Sequence, residues 1–367
     1  MLALILVSFI SSLIAAMFLI RWGREHAKLY KDDMPQRFHI GTVPRLGGLA
    51  ILVGVFISWL FLTLSSPIGI NLNIKAPWPI IWPWFLIALP AVLGGTFEDM
   101  TQRLSVVYRL GLTAASAALA CWLLGISVPR IGVPFIDVWM QATPIVGITL
   151  AIIAICGLPH AFNIIDGYNG LAGTVAVMIC LALVHVALQL GDRQLAAMLI
   201  CLAAATAGFL LWNYPRGLIF AGDGGAYLWG VVIAVASITL VQRHPTVSPW
   251  FPMLLLIYPV WETLFSIYRK AVRGTSPGVA DALHFHQLIY RRIVRSVFHD
   301  DASRQMLMRN NRTSPWLWSF ALLTMAPAVL FWDNTLVLMI CCALFVVIYV
   351  SAYMMLIRFK VPNWLRR

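Results

Sequence analysis

Eleven apolar stretches, each close to the length needed to cross a bilayer, divide the chain and leave few folds open to it. They run over about 1–20, 46–66, 79–97, 106–126, 143–160, 171–190, 195–212, 226–241, 250–268, 316–332 and 335–357. A spanning helix needs roughly 20 apolar residues, because the hydrocarbon core is about 30 Å thick. Inside that core every backbone N–H and C=O must be satisfied, so continuous apolar runs of this length imply helices. Composition agrees: 61% of the residues are hydrophobic, 11% are charged and the mean hydropathy is +0.85, which no soluble domain of 367 residues requires. The expected fold is all-α, a polytopic integral membrane protein of about eleven transmembrane helices in a single domain, 1–367. Met1 to Ile20 lacks the basic start and small-residue cleavage site of a signal peptide and is read as a retained first helix.

The net charge of +12 is distributed by side. Alternating the loops between two sides puts 22 of the 26 Lys and Arg on one of them and leaves Lys75, Arg130, Arg193 and Arg243 on the other. The positive-inside rule makes the rich side cytoplasmic, with the N-terminus outside and the C-terminus inside. Anionic headgroups and an anionic substrate account for this basicity, and no nucleic acid is needed. The six cysteines lie in apolar runs without CxxC spacing, so neither a disulfide framework nor a zinc site is expected.

Most of the few carboxylates and histidines gather in the loops on the basic side, 21–45, 98–105, 161–170, 213–225 and 269–315, which are expected to form the active site. Glu98-Asp99 ends the third run; adjacent carboxylates at a bilayer boundary persist when a cation offsets their repulsion, and magnesium is content with one or two of them plus substrate phosphates. Asn163, Asp166 and Asn169 recur every three residues, and Gly167 and Gly170 let backbone approach a flat ligand; an ordinary capped turn uses the same residue types. Asn213, Phe220 and Asp223 precede the eighth run, whose start offers free N–H groups to phosphate; Asp223 could hold a metal, and Phe220 could stack on a base or simply be buried. His284 and His286 lie in the large basic loop, with Arg269, Arg273 and Arg291 nearby as phosphate donors. Residues i and i+2 diverge on a helix, so a shared ligand would require an extended stretch or a helix start there. A helix is expected from about Asp281 to Phe298, either on the membrane surface or packed on the protein. Glu262 is an intramembrane carboxylate, either functional or paired with a basic neighbour.

These patches, in this order, resemble the polyprenyl-phosphate N-acetylhexosamine-1-phosphate transferase family. Pro44-Arg45-Leu46-Gly47-Gly48 is similar to its PRxGG segment, Glu98-Asp99 stands at its aspartate pair, and Asn163 to Gly170 is similar to its NxxDGxDGLAG stretch. Asn213 to Phe220 with Gly222-Asp223-Gly224-Gly225, and Arg273 to His286, are similar to its two later motifs. The resemblance implies transfer of a sugar-1-phosphate from a UDP-N-acetyl sugar to undecaprenyl phosphate at a bacterial inner membrane. The active site would face the cytoplasm. It implies magnesium as cofactor, with manganese as a substitute, and Asp223 as its leading ligand, with Asp99 beside it. Glu98 and Asp99 would orient metal or deprotonate the acceptor; ligand and base are not separated among Glu98, Asp99 and Asp223. Asn163, Asp166, Asn169, Asn213 and Phe220 would line the uridine and sugar site, and His284 and His286 would meet the donor's phosphate or sugar. Arg45, Arg103, Glu262 and Arg269 are further candidates.

The chain departs from the family pattern at Glu98 and Asn169, where Asp is common, and at Ala226, where Ser is common. Its histidine motif reads HFHQ rather than the three consecutive histidines of the phospho-MurNAc-pentapeptide enzyme. That favours initiation of O-antigen or another surface glycan, with UDP-GlcNAc or a related donor, over the peptidoglycan reaction. A transporter or lipid flippase is the competing class; against it, the informative residues cluster at one face, without inverted repeats. A homodimer is left open.

Overall fold

Pro259 shows how closely the backbone follows local sequence. The computed structural model describes residues 1–28, 42–65, 74, 76–275, 283–294, 299 and 301–358. Among them the secondary structure is helical throughout: α1 (Leu2–Ala27), α2 (Gly47–Leu64), α3 (Trp78–Thr101), α4 (Val106–Leu124), α5 (Pro134–Ala142), α6 (Pro144–Ile165), α7 (Leu171–Gln189), α8 (Arg193–Asn213), α9 (Gly222–Arg243), α10 (Trp250–Leu255), α11 (Ile257–Val272), α12 (Phe285–Arg292), α13 (Ala302–Leu330) and α14 (Thr335–Ile357). Proline opens α5 and α6, where a missing N–H costs nothing. At Pro259 it would instead face the carbonyl four residues back, and the expected run over 250–268 divides at Leu256 into α10 and α11.

Nine helices among the described residues are long and apolar enough to cross a membrane: α1 to α4, α6 to α9 and α14. The two other expected spans correspond to α10–α11 and to the later part of α13, neither of which is among the nine. The chain is a multi-pass membrane protein.

α9 is the axis of the assembly. From Gly224 to Val241 every residue is buried, as befits a helix apolar on all sides. It packs on α2, α3 and α6, while α7 and α8 form a second buried pair. α1, α4 and α14 expose long apolar faces, Leu2, Trp122 and Val347 among them. The expected helix from about Asp281 to Phe298 is described only in part, and Asp281 and Phe298 lie outside the described residues. α12 buries Phe285 to Tyr290, so its described residues pack on the protein.

Candidate active site

The site is built on the first turn of α9. Gly222, at φ 70°, lets the chain turn into the helix, and Asp223 follows it. Behind Asp223 stands Asp99 of α3, whose Oδ1 accepts the Asp223 N–H and whose Oδ2 accepts the Gly224 N–H, both at 2.9 Å. A carboxylate thus caps the positive end of the central helix. The crossing is tight: a Cβ on Gly95 would lie 2.5 Å from the Gly224 nitrogen. From the other side residues 44–48 pair with 220–221: Phe220 donates to the Pro44 carbonyl at 2.9 Å, Gly47 to the Phe220 carbonyl at 2.8 Å and Gly48 to the Ala221 carbonyl at 2.9 Å.

The Asp223 carboxylate faces away from these supports. Arg109 of α4 donates to its Oδ2 at 2.8 Å, Asn163 of α6 donates to its Oδ1 at 2.6 Å, and the Tyr227 hydroxyl lies 3.4 Å from Oδ2. Glu98 accepts the Leu104 N–H at 2.7 Å, and the charges of Arg109, Asp223 and Arg45 all reach it. Asp166 follows the last turn of α6 in the same field. Burial pushes its carboxyl up to about 7, Asp223 adds to the rise, and Arg45 and a Gly222 backbone hydrogen bond oppose it. Arg45, Glu98, Asp99, Arg109, Asn163, Asp166 and Asp223 therefore form one electrostatic cluster.

A second cluster adjoins it. His286 packs against Gly167, where an added Cβ would lie 3.1 Å from its Nε2, and it stands edge-on to Tyr168 at 5.5 Å. It stacks on His284 at 5.4 Å with only 9° between the rings, because His284 precedes α12 with extended backbone while His286 lies in its first turn. The two rings share one direction here because the stretch is a helix start. His284 Nδ1 lies 3.0 Å from Oε1 of Glu262, which is wholly buried. Burial pushes His286 down to about 3, so it is neutral at physiological pH. Its Nδ1 is buried without a hydrogen-bond partner among the described residues.

Other candidates hold the scaffold. The Asn169 N–H donates to Asn310 at 2.8 Å, its side-chain amide to Asn311 at 3.0 Å, and its carbonyl accepts from Ser314 at 2.6 Å, all on α13. Asn213 accepts the Gly170 N–H at 2.6 Å and donates to the Ile219 carbonyl at 2.8 Å. Arg269 is buried on α11, stacked near Phe265 and Tyr353. Arg273 at the end of α11 and Arg103 after α3 are exposed. Ser276 and Pro277 of the motif lie outside the described residues. Arg109, Tyr227, Asn310 and Asn311 were not singled out in sequence; Arg109 read as one more basic-loop charge, although it lies within the apolar run of α4.

Among the described residues no three His, Cys, Asp or Glu side chains close around one point. An all-protein metal cage is therefore missing from them, but magnesium, which borrows substrate phosphates, asks for less. The Asp223 carboxylate, oriented by Asn163 and already paired with one cationic group in Arg109, fits that requirement as a single carboxylate ligand.

The sequence model of glycosyl transferase family 4 matches residues 81–241, which run from α3 through α9. The chain is 28% identical over 286 residues to a probable undecaprenyl-phosphate N-acetylglucosaminyl 1-phosphate transferase of Bacillus subtilis, covering 77% of this chain and 76% of that one. It is 28% identical over 218 residues to an undecaprenyl-phosphate alpha-N-acetylglucosaminyl 1-phosphate transferase of Thermotoga maritima, covering 58% and 62%. It is 31% identical over 230 residues to a phospho-N-acetylmuramoyl-pentapeptide-transferase of Moorella thermoacetica, covering 60% and 68%. The carboxylates and Asn163 gathered at the start of α9 fall inside the family match, and the chain belongs to glycosyl transferase family 4 as a multi-pass membrane enzyme that transfers a sugar phosphate.

Proposed function

We propose that the protein transfers an N-acetylhexosamine-1-phosphate from a UDP-sugar, UDP-GlcNAc or a close relative, to undecaprenyl phosphate, releasing UMP and starting a surface glycan such as O-antigen. The observation that carries this is Asp223 at the α9 N-terminus, oriented by Arg109 and Asn163 and buttressed by Asp99. A diphosphate donor needs cationic partners, and a lipid acceptor needs them at a helix mouth rather than in a soluble cleft. The names of the Bacillus and Thermotoga relatives support the acceptor and the sugar. In this reading the site faces the cytoplasm of a bacterial inner membrane. The N-terminus is outside, and α10–α11 with the later part of α13 complete eleven spans.

Asp223 would be the magnesium ligand of this proposal, with Glu98 and Asp166 near enough to feel its charge. When bound, magnesium neutralises charge on the donor's diphosphate. An oxygen of the lipid phosphate attacks the donor's β-phosphorus, and the bond from that phosphorus to the oxygen bridging to the α-phosphate breaks as UMP leaves. Arg109 and Arg45 stabilise the charge that moves onto the leaving phosphate. His284 and His286 approach the donor from the α12 side, and Asn163 and Phe220 lie on the nucleoside side.

The test is UMP release by purified protein given undecaprenyl phosphate, UDP-GlcNAc and magnesium, with Asp223→Asn in parallel. Turnover that needs lipid and metal and disappears in the variant supports the reading. UDP-MurNAc-pentapeptide as the sole productive donor would replace it with the peptidoglycan reaction. Silence with every UDP-sugar in folded protein would remove it. A phosphoryl-enzyme isolated after donor alone would replace direct attack by a two-step route.

A further inference from the structure

α14 is a lipid-facing helix with a hydroxyl where lipid-facing helices have no use for one. Tyr349 is wholly buried, its ring packed against Phe265, Phe285 and Phe345, and its hydroxyl lies 2.6 Å from Oε2 of Glu262. The hydroxyl adds nothing to that aromatic packing, so its place is explained by Glu262. The other oxygen of Glu262 lies 3.0 Å from His284 Nδ1, and the Phe285 N–H reaches both oxygens at 3.2 and 3.3 Å. A carboxylate accepts from all three, which puts a proton on His284 Nδ1 and leaves Nε2 on the opposite side of the ring. Unconstrained imidazole prefers the other tautomer. His286 stacks on that ring and touches Gly167, so the orientation of His284 reaches the turn that carries Asp166.

Resting on the transferase reading, we propose that Tyr349 of α14 is a positioning residue that acts through Glu262. Its hydroxyl holds the carboxylate that fixes the ring and tautomer of His284, presenting the Nε2 lone pair as an acceptor to a hydroxyl or amide N–H of the donor's sugar. Tyr258, Arg269 and His286 are the other ionisable groups beside this cluster, and of these Arg269 carries charge. The device draws on α11, α12 and α14, all beyond residues 81–241.

The experiment compares wild type, Tyr349→Phe and Glu262→Gln by steady-state UMP release, thermal unfolding in detergent and histidine-selective ¹⁵N NMR. Losing one hydrogen bond to a charged group should lower kcat of Tyr349→Phe by about tenfold while its donor KM stays within about twofold. Its unfolding midpoint should fall only modestly, because the ring still fills its place and Oε2 of Glu262 keeps the Phe285 N–H. Glu262→Gln should lose more activity than Tyr349→Phe. In the spectra wild-type His284 should carry its proton on Nδ1, and Tyr349→Phe should show a mixture of tautomers. Wild-type kcat in Tyr349→Phe, or a His284 signal unchanged in both variants, would overturn the proposal. So would a kcat loss matched by an equal loss of unfolding midpoint. If wild type releases UMP from no donor, the transferase reading fails; the tautomer in the spectra still decides whether Tyr349 and Glu262 set His284.

Discussion

Asp99 binds the main chain of Asp223: its two oxygens take the Asp223 and Gly224 N–H groups, both at 2.9 Å. Two carboxylates that look alike in sequence thus differ in what they meet, Asp99 a helix start and Asp223 the side chains of Arg109 and Asn163. Asp99→Asn turns one acceptor into a donor facing an N–H and removes a charge from a helix N-terminus, at a cost of about 1–3 kcal/mol. Its unfolding midpoint in detergent should fall together with its activity. Asp223→Asn should abolish UMP release with the midpoint close to wild type. An Asp99→Asn protein as stable as wild type would remove the support role.

Arg109 occupies the electrostatic position a metal would share. Its guanidinium lies 2.8 Å from Asp223 Oδ2. Arg109→Gln removes a like charge beside the cation, so the magnesium concentration for half-maximal activity should fall by about threefold or more. Over the same titration kcat should drop, because charge on the leaving phosphate loses a partner. A rise in the magnesium requirement would mean that Arg109 helps to hold the ion's ligand in place more than it competes.

Asp166 makes stability depend on pH. Burial, reinforced by Asp223, lifts its carboxyl to about 7, above the unfolded value of about 3.9. Between these values the folded protein keeps a proton that the unfolded chain releases, so this contribution to stability is present at low pH and is lost as pH rises towards 7. In chelator-treated protein the unfolding midpoint should therefore fall from pH 5 to pH 8. Asp166→Asn should flatten that slope and be the more stable form at pH 8. An unchanged slope in the variant would assign the effect to other groups.

Asn310 supports the motif turn from a distance. Its Oδ1 accepts the buried Asn169 N–H at 2.8 Å, while Ser314 and Trp318 donate to the Asn169 and Gly170 carbonyls at 2.6 and 3.0 Å. Asn310→Ala leaves the N–H without a partner, which costs about 1–3 kcal/mol. The unfolding midpoint should drop, and the donor KM should rise as the turn loosens. A wild-type KM would confine Asn310 to stability.

Run lengths carried most of the fold. α7 ends at Gln189, against an expected end near 190, and α14 covers Thr335–Ile357, the expected 335–357. The break at Leu256 has its sequence signal in Pro259, whose missing N–H leaves one carbonyl of a continuous helix unpaired. The roles within Glu98-Asp99 were not, because neighbouring residues on a helix point about 100° apart, and only the crossing with α9 shows which one faces inward. Arg109 and Asn310 stayed hidden because their partners lie 114 and 141 residues away. Hydrophobic periodicity carries no information about such pairs. Glycine-rich motifs suggested a phosphate cradle, whereas Gly95 and Gly224 also serve a helix crossing too close for a side chain.

The burial of α9 on every side, with its start pinned by Asp99 and by residues 44–48, has a kinetic meaning. A helix wedged among its neighbours cannot slide, so the main chain of Asp223 is set while the membrane core folds, and its carboxylate is left facing Arg109 and Asn163. Any group that meets Asp223 therefore has to come to a carboxylate whose backbone is already in place.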